Sequence, residues 1–457
     1  MTISKEFERL EKSALKLTLK VQQEDVRSKY DELLANYGKN LQIPGFRKGK
    51  VPKDVLIRKL GDGLKEEVLA ALIEAALTEV FDDKSLAREY QPLPYSTPKL
   101  EDKPKLDTDA DLTFSVIYDV LPKVTIGQWN GLNVVVPDAE ITEEDINREL
   151  EQIRERNAMV FDKDEDAPAE ENDVVTVDYS ELDDEGNVIP GTEREDFVFT
   201  LGSGNNIFKF DHDIIGMKQG ETKDIEKSYP EDFADKDLAG KTKKIRVSLS
   251  ALKEKSLPEL DDDLAQDVDE KYATLDDLKN SLRESLQKNL DEYLRSIKIN
   301  AIIEKIMENT PVDIPDSMIR VELDSRWTKF LRQVGVKNEQ MADYIKNNPD
   351  SREAFIDKTR SAATKALHSR LIVETLMQDL ALEASDEDIE KELENIAKQH
   401  NEPLEDVREY YEQKEEAKEY LIDAIKEKKL YDRFLAENNI EIGGKKKYPE
   451  IIGSIYE

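Results

Sequence analysis

Apolar residues alternate with polar ones at Leu15, Leu17, Leu19 and Val21, and again at Leu112, Phe114, Val116, Tyr118 and Val120. A period of two is that of a half-buried strand, so Ala14 to Val21 and Leu112 to Val120 are expected to pair. Between them the period lengthens. Val26, Tyr30, Leu33, Leu34 and Tyr37 predict a helix over Gln23 to Asn40. Val51 to Leu60 predicts a short helix with Pro52 in its first turn, where the missing N–H does no harm. Leu64, Val68, Leu72, Ala75 and Leu77 then form one stripe of an amphipathic helix ending at Phe81. Residues 1–118 are thus expected to be a small α+β domain.

A connecting segment follows over 119–168, with a strand near Gly131 to Val136, a helix from Thr142 to Arg156 and a charged linker ending at Pro168. Residues 169–252 are β-rich, with strands at Val174 to Tyr179, Phe197 to Leu201, Asp224 to Tyr229 and Lys244 to Leu252 between Gly-bearing turns. From 253 to 457 the pattern is helical. Leu275, Leu278, Leu282, Leu286, Leu290, Leu294 and Ile297 step by three or four, so a helix from Thr274 to Asn309 would reach about 54 Å and act as an arm. Further stripes run from Ile319 to Val334 and from Ser351 to Leu380. Shorter ones hold Ile389, Leu393 and Ile396, then Val407 to Phe434, and the tail from Gly443 is expected to fray. No repeat of fixed period appears. The fold class is α+β and multidomain.

Charge changes the picture at one place. The chain of 457 residues carries a formal charge of -35, yet Gly45 to Lys59 holds Arg47, Lys48, Lys50, Lys53, Arg58 and Lys59 against Asp54 alone. Two glycines and two prolines in Ile43 to Pro52 stop helix or strand from passing, so Phe46, Arg47 and Lys48 are expected at the tip of a turn. An aromatic beside Arg and Lys suits a phosphate backbone with an apolar groove or base beside it, and equally a solvated loop with Phe46 folded onto its own domain. The acidic remainder argues against general nucleic-acid binding. There is no Cys, so disulfide frameworks, thiol nucleophiles and thiolate metal sites are excluded. The charged N-terminus lacks an apolar signal core, no run approaches the roughly 20 apolar residues of a membrane span, and a cytosolic location without membrane contact is expected.

The spacing Gly45-Phe46-Arg47-Lys48-Gly49-Lys50-Val51-Pro52 resembles the ribosome-docking signature of the trigger factor family, bacterial chaperones that meet nascent chains at the ribosomal exit. The order of segments, a docking domain, an isomerase module and helical arms, extends the resemblance over nearly the whole chain. It implies that Gly45, Phe46, Arg47, Lys48, Gly49 and Lys50 form the ribosome-binding loop. The partners implied are a large-subunit exit-site protein, ribosomal RNA, and nascent and unfolded polypeptides. In this family the C-terminal arms fold beside the first domain although the isomerase lies between them in sequence. A weak homodimer is left open.

Within the β-rich section, Val175-Thr176-Val177-Asp178-Tyr179, Phe197 to Gly202, Gly216 to Glu221 and Tyr229 to Phe233 resemble an FKBP-type peptidyl-prolyl isomerase, a sheet wrapped round one short helix. The resemblance places Asp178, Tyr179, Phe197, Ile207 and Phe210 in the isomerase pocket. Ile189, Phe233 and Ile245 align where the family carries an aromatic, a tyrosine and a phenylalanine, and Ile207-Phe208-Lys209-Phe210 replaces Ile-Pro-Gly-Phe. These departures imply a weakened or vanished isomerase that still binds peptide. Phe199 reads as barrel core. No cofactor is expected.

Other chemistry finds little support. His212, His368 and His400 have no ligand spacing, Gly240-Lys241-Thr242 has Asp235 where a phosphate loop needs glycine, and Asp261-Asp262-Asp263 reads as a solvated face. About two thirds of the arm stripes are expected to be packed core. Met318, Trp327, Phe330, Met341 and Met377 are expected to line a cradle for unfolded segments, because long adaptable side chains suit promiscuous contacts. Two rival readings stay open: a working prolyl isomerase, and a holdase that acts without the ribosome.

Overall fold

The computed structural model describes residues 2–164, 166–233, 235–236, 238–337 and 339–453. The chain begins with β1 (Ile3–Arg9), β2 (Ala14–Val21), α1 (Gln23–Asn40), α2 (Lys53–Phe81), β3 (Lys99–Leu100) and β4 (Leu112–Asp119). The two alternating stretches pair antiparallel as expected, Leu17 opposite Val116 and Leu19 opposite Phe114. Leu15, Leu17, Leu19 and Val21 have no exposed surface and pack with Val68, Leu72 and Ala76 of α2. β1 is an addition. Ile3 and Phe7 lie four apart with Lys5 between, too sparse to be read as a strand, yet the segment pairs in full register from Ile3 opposite Val21 to Arg9 opposite Leu15. The sheet order is β1-β2-β4-β3. The two helices expected over Val51–Phe81 are one run broken at Gly61, whose φ of 54° and ψ of -134° no L-residue adopts comfortably. Pro52 precedes this run as its N-cap, outside the first turn.

Next come β5 (Asn133–Glu140), α3 (Glu143–Arg156), β6 (Met159–Asp162), β7 (Val174–Leu182), β8 (Arg194–Thr200), β9 (Thr222–Ser228) and β10 (Thr242–Ser256). Thr142 and Asp145 close a capping box at the start of α3. The β-rich section is a five-stranded antiparallel sheet in the order β6-β10-β7-β8, with β9 also on β10. Its short helix is the 3₁₀ turn Asp211–Asp213. Its core contains Val175, Val177, Phe199, Leu201, Phe210, Ile214, Ile245 and Val247, so Phe199 is core as expected.

The remainder holds α4 (Asp262–Val268), α5 (Leu275–Asn309), α6 (Asp316–Lys337), α7 (Glu339–Asn347), α8 (Pro349–Asp379), α9 (Asp386–His400), α10 (Leu404–Gln413), α11 (Glu415–Glu437), β11 (Asn439–Lys447) and α12 (Tyr448–Gly453). Asp261 caps α4 by accepting from the Leu264 N–H, and Asp262 accepts from the Leu275 N–H, so two of the three acids do structural work beyond lining a solvated face. The tail expected to fray is built into the fold as far as residue 453, since β11 pairs with β5 and Tyr448 and Ile451 of α12 are buried; its last four positions lie outside the described residues.

The chain divides into two compact units. One joins 1–136 to 295–443 and the other joins 137–294 to 444–457. In the first unit, Leu93 packs with Ile314, Met318, Leu367 and Leu371, and the Lys12 ammonium pairs with Asp316 at 3.2 Å. The N-terminal section and the helices after 295 therefore share a core, with the β-rich section inserted between them in sequence. In the second unit the β-rich sheet is accompanied by α3, where the Arg154 guanidinium donates to the Pro258 carbonyl and pairs with Glu151.

Candidate functional site

Three surfaces carry the residues singled out above. The basic loop joins α1 to α2. Buried Ile43 anchors its entry, the Phe46 N–H donates to the Ile43 carbonyl at 3.1 Å, and the Lys50 N–H donates to the Arg47 carbonyl at 2.9 Å. These two consecutive turns need left-handed backbone at Gly45 (φ 92°) and Gly49 (φ 77°), which explains the two glycines. The result is a projecting tip. Phe46 is 39% exposed, and Arg47, Lys48, Gly49 and Lys50 are all exposed. Phe46 is not folded back into its own domain.

The second surface is the aromatic cluster around Tyr179. Its ring meets Phe197 at 5.6 Å, Phe208 at 5.8 Å and Phe210 at 5.6 Å between centroids, all edge-on. Tyr179 and Phe197 are half-buried, so this group presents apolar surface, with Phe210 wholly buried against it. The Tyr179 hydroxyl makes no hydrogen bond within the described residues, and burial raises its pKa, which keeps it protonated and able to donate. Asp178 is engaged otherwise: its carboxylate accepts from the Asp196 N–H at 2.8 Å, across the bulge between β7 and β8.

Several expected pocket residues are placed differently. Ile245 is core, with no exposed surface. Ile189 lies beyond the end of β7, where its N–H donates to the Glu181 carbonyl, and it is 38% exposed. Ile207 is 50% exposed while its neighbour Phe208 takes the buried position. The physical reason is the turn. With Pro and Gly replaced, Lys209 itself adopts φ 53° and Phe208 faces inward. Phe233 packs against Tyr229 with ring centroids 4.9 Å apart and planes tilted by 55°, half-buried. Phe208 and Tyr229 were not assigned to the pocket from sequence, although both lie in segments compared there with the isomerase family, and Ile225 and Tyr229 on one strand face were a usable signal for Tyr229. The Tyr229 hydroxyl donates to the Phe208 carbonyl at 2.8 Å, and burial pushes its pKa up to about 12. It is committed to holding the turn.

The third surface lies among the helices. Met318 and Trp327, expected in a cradle, are core: they are 7% and 8% exposed. Met318 packs with Ile314, Leu323 and Leu367, and Trp327 packs with Phe330 and Phe355 at 5.8 and 5.2 Å, because α6 turns its Met318–Ile319–Leu323–Trp327 stripe onto α8. Phe330 is half-buried in that aromatic group, and Met341 is exposed on α7. Met377 lines a groove of ≈ 520 Å³ between α8 and α11, with Val373, Ala366, Tyr420 and Tyr431. Tyr420 is 77% exposed. Tyr420 and Tyr431 are eleven residues apart, about three helical turns, and so share a face; that spacing could have revealed them.

Among the described residues no group of three His, Asp or Glu could hold a metal ion, and no helix is long and apolar enough to cross a membrane. His368 shares a 2.6 Å hydrogen bond with the Thr310 carbonyl oxygen.

Comparison with known proteins matches three family models along the chain. Residues 3–153 match the bacterial trigger factor protein model, residues 165–250 the FKBP-type peptidyl-prolyl cis-trans isomerase model, and residues 274–436 the trigger factor C-terminus model. The chain is 44% identical to the trigger factor of Treponema denticola over 442 residues, 97% of each chain. It is 39% identical to that of Treponema pallidum strain Nichols over 443 residues, again 97% of each. The trigger factor of Borreliella burgdorferi is 33% identical over 451 residues, 98% of this chain and 97% of that one.

Proposed function

The chain belongs to the trigger factor family, and on that premise we propose that it is an ATP-independent chaperone that docks on the ribosome and shields nascent polypeptides. Phe46, Arg47 and Lys48 make the docking contact. The observation that carries this reading is the exposed loop: an exposed aromatic followed by two cations, in a turn set by two left-handed glycines, in a chain of charge -35. A positive tip on a negative body selects orientation, since the rest of the surface is repelled by rRNA phosphate while the loop is drawn to it. Clients are then held by the groove between α8 and α11, where Met377, Tyr420 and Tyr431 supply adaptable apolar contact.

The test is sedimentation with vacant 70S ribosomes. The F46A/R47A/K48A variant is expected to lose co-sedimentation while keeping the wild-type circular dichroism spectrum. Binding should also weaken with salt, with a log–log slope of about -2 to -3 for the three cations Arg47, Lys48 and Lys50. Undiminished binding by the variant would reject the docking role.

The β-rich module is an FKBP-type domain by its family match. We assign it peptide binding with weak isomerase activity. An X-Pro bond has a barrier of ~20 kcal/mol that falls when the amide loses resonance in a dry pocket with hydrogen-bond donors. Here Tyr179 is the one tyrosine hydroxyl of the cluster not already engaged, since Tyr229 is committed and Phe233 has none. In a proline-limited refolding reaction the full chain should give little acceleration. Tyr179→Phe should reduce what remains by roughly tenfold, the worth of one hydrogen bond. Strong catalysis surviving in the variant would overturn this assignment.

A further inference from the structure

A cleft of ≈ 360 Å³ lies in the first unit, between the edge of the N-terminal sheet and the start of α6. It is lined by Tyr95, Lys99, Asp119, Ser317 and Arg320, with Leu100 at its rim. Ser317 stands in the first turn of this 22-residue helix and is 8% exposed. Its Oγ is buried and makes no hydrogen bond, the one such side-chain atom among the described residues. Folded chains rarely leave a buried hydroxyl unpaired, because its desolvation is not offset. Ser317 is one of the residues that line the cleft, so a ligand seated there can supply the partner its buried hydroxyl lacks.

The charges around it point to the ligand's sign. Lys99 and Arg320 are exposed and have no ion-pair partner among the described residues, although acids outnumber bases in the chain by 102 to 67. Two cations face one anion, Asp119, which leaves a net charge of +1. The first turn of α6 adds the positive end of the helix dipole, although its Met318 and Ile319 N–H groups already donate to the Pro315 carbonyl. The Tyr118 hydroxyl nearby is already engaged, donating to the Tyr90 carbonyl, while Ser96 Oγ accepts from the Asp119 N–H.

We propose that this cleft binds a singly charged oxyanion of carboxylate type, with Ser317 donating its hydroxyl proton to one oxygen and Arg320 and Lys99 neutralising the charge. The group can arrive as a free small carboxylate or as an acidic side chain of a polypeptide, which Tyr95 and Leu100 at the exposed rim would flank. The site is independent of ribosome docking, since none of its residues belongs to the basic loop.

The test uses the full chain and isothermal calorimetry at fixed ionic strength. The probes are sodium acetate against sodium chloride, and a terminally blocked Gly-Gly-Glu-Gly-Gly peptide against its Gln counterpart. Binding of the Glu peptide but not the Gln peptide is expected, and Ser317→Ala and Arg320→Gln should each raise Kd by roughly tenfold, as for one hydrogen bond to a charged group. Asp119→Asn should tighten binding. Ser317→Ala should also leave the unfolding midpoint unchanged or higher, because it removes an unpaired buried hydroxyl. Acetate binding as well identifies a free-carboxylate site, and peptide binding alone identifies a side-chain site. Absence of both, equal affinity in both variants, or a lowered midpoint in Ser317→Ala overturns the proposal.

Discussion

At the scale of single residues, Asp388 shows how one carboxylate can hold several elements. The Lys429 ammonium beside it is the main influence holding its pKa well below the usual carboxylate range, followed by the Ser385 hydroxyl and N–H that complete the capping box of α9. Lys429 also donates to the Glu383 carbonyl at 2.9 Å, so the one contact ties α11 to the entry of α9. Because the folded pKa is depressed, the stabilisation is fully present above the unfolded value of ~4 and is lost as pH falls through the folded value. Asp388→Asn should therefore have a lower urea midpoint than wild type at pH 7, and the gap should close as both are taken below about pH 4. A gap that persists unchanged in acid would contradict this account. The residue types were legible here, since Ser385-Asp386-Glu387-Asp388 is a recognisable helix start. The partner on α11, 41 residues away, was not.

At the scale of elements, strongly patterned segments were readable and sparse ones were not. β2 and β4 carry four or five apolar residues in strict alternation, while β1 carries two and α12 spans six residues with Tyr448 and Ile451 buried. Both weak elements are held by what they pair or pack with. The basic loop was legible because glycine, proline and charge all mark it locally. The faces of the arm helices were not, because Met318 and Trp327 belong to a stripe that would look the same whether it met α8 or a client. Joints between elements are also invisible in sequence. Gly127 approaches the end of α5 so closely that a Cβ there would lie 2.3 Å from the Asn309 carbonyl oxygen, and its N–H donates to Thr310 Oγ1 at 3.0 Å. Gly127→Ala should cost about 1–3 kcal/mol by overpacking. Gly444→Ala, where a Cβ meets nothing within 4 Å, should be near neutral. Urea midpoints of the two variants check the contrast, and equal midpoints would refute the close approach.

At the scale of the whole molecule, local pattern and long-range packing divide the account between them. Sequence alone carried the α+β multidomain class, the basic turn at Phe46, Arg47 and Lys48, the β-rich module between the N-terminal and helical sections, and the family. Each of these follows from short-range periods, turn residues or spacing, which a chain displays before it folds. Only the tertiary structure decided that Leu93 shares a core with Ile314 and Met318, and that Trp327 faces inward while Tyr420 faces out. It also decided that Phe208 is buried beside Tyr179 while Ile207, expected in the pocket, is exposed, and that Ser317 is left buried without a partner. These outcomes depend on contacts between residues far apart in the chain. Periodicity says that a face will be buried, and only packing says against what.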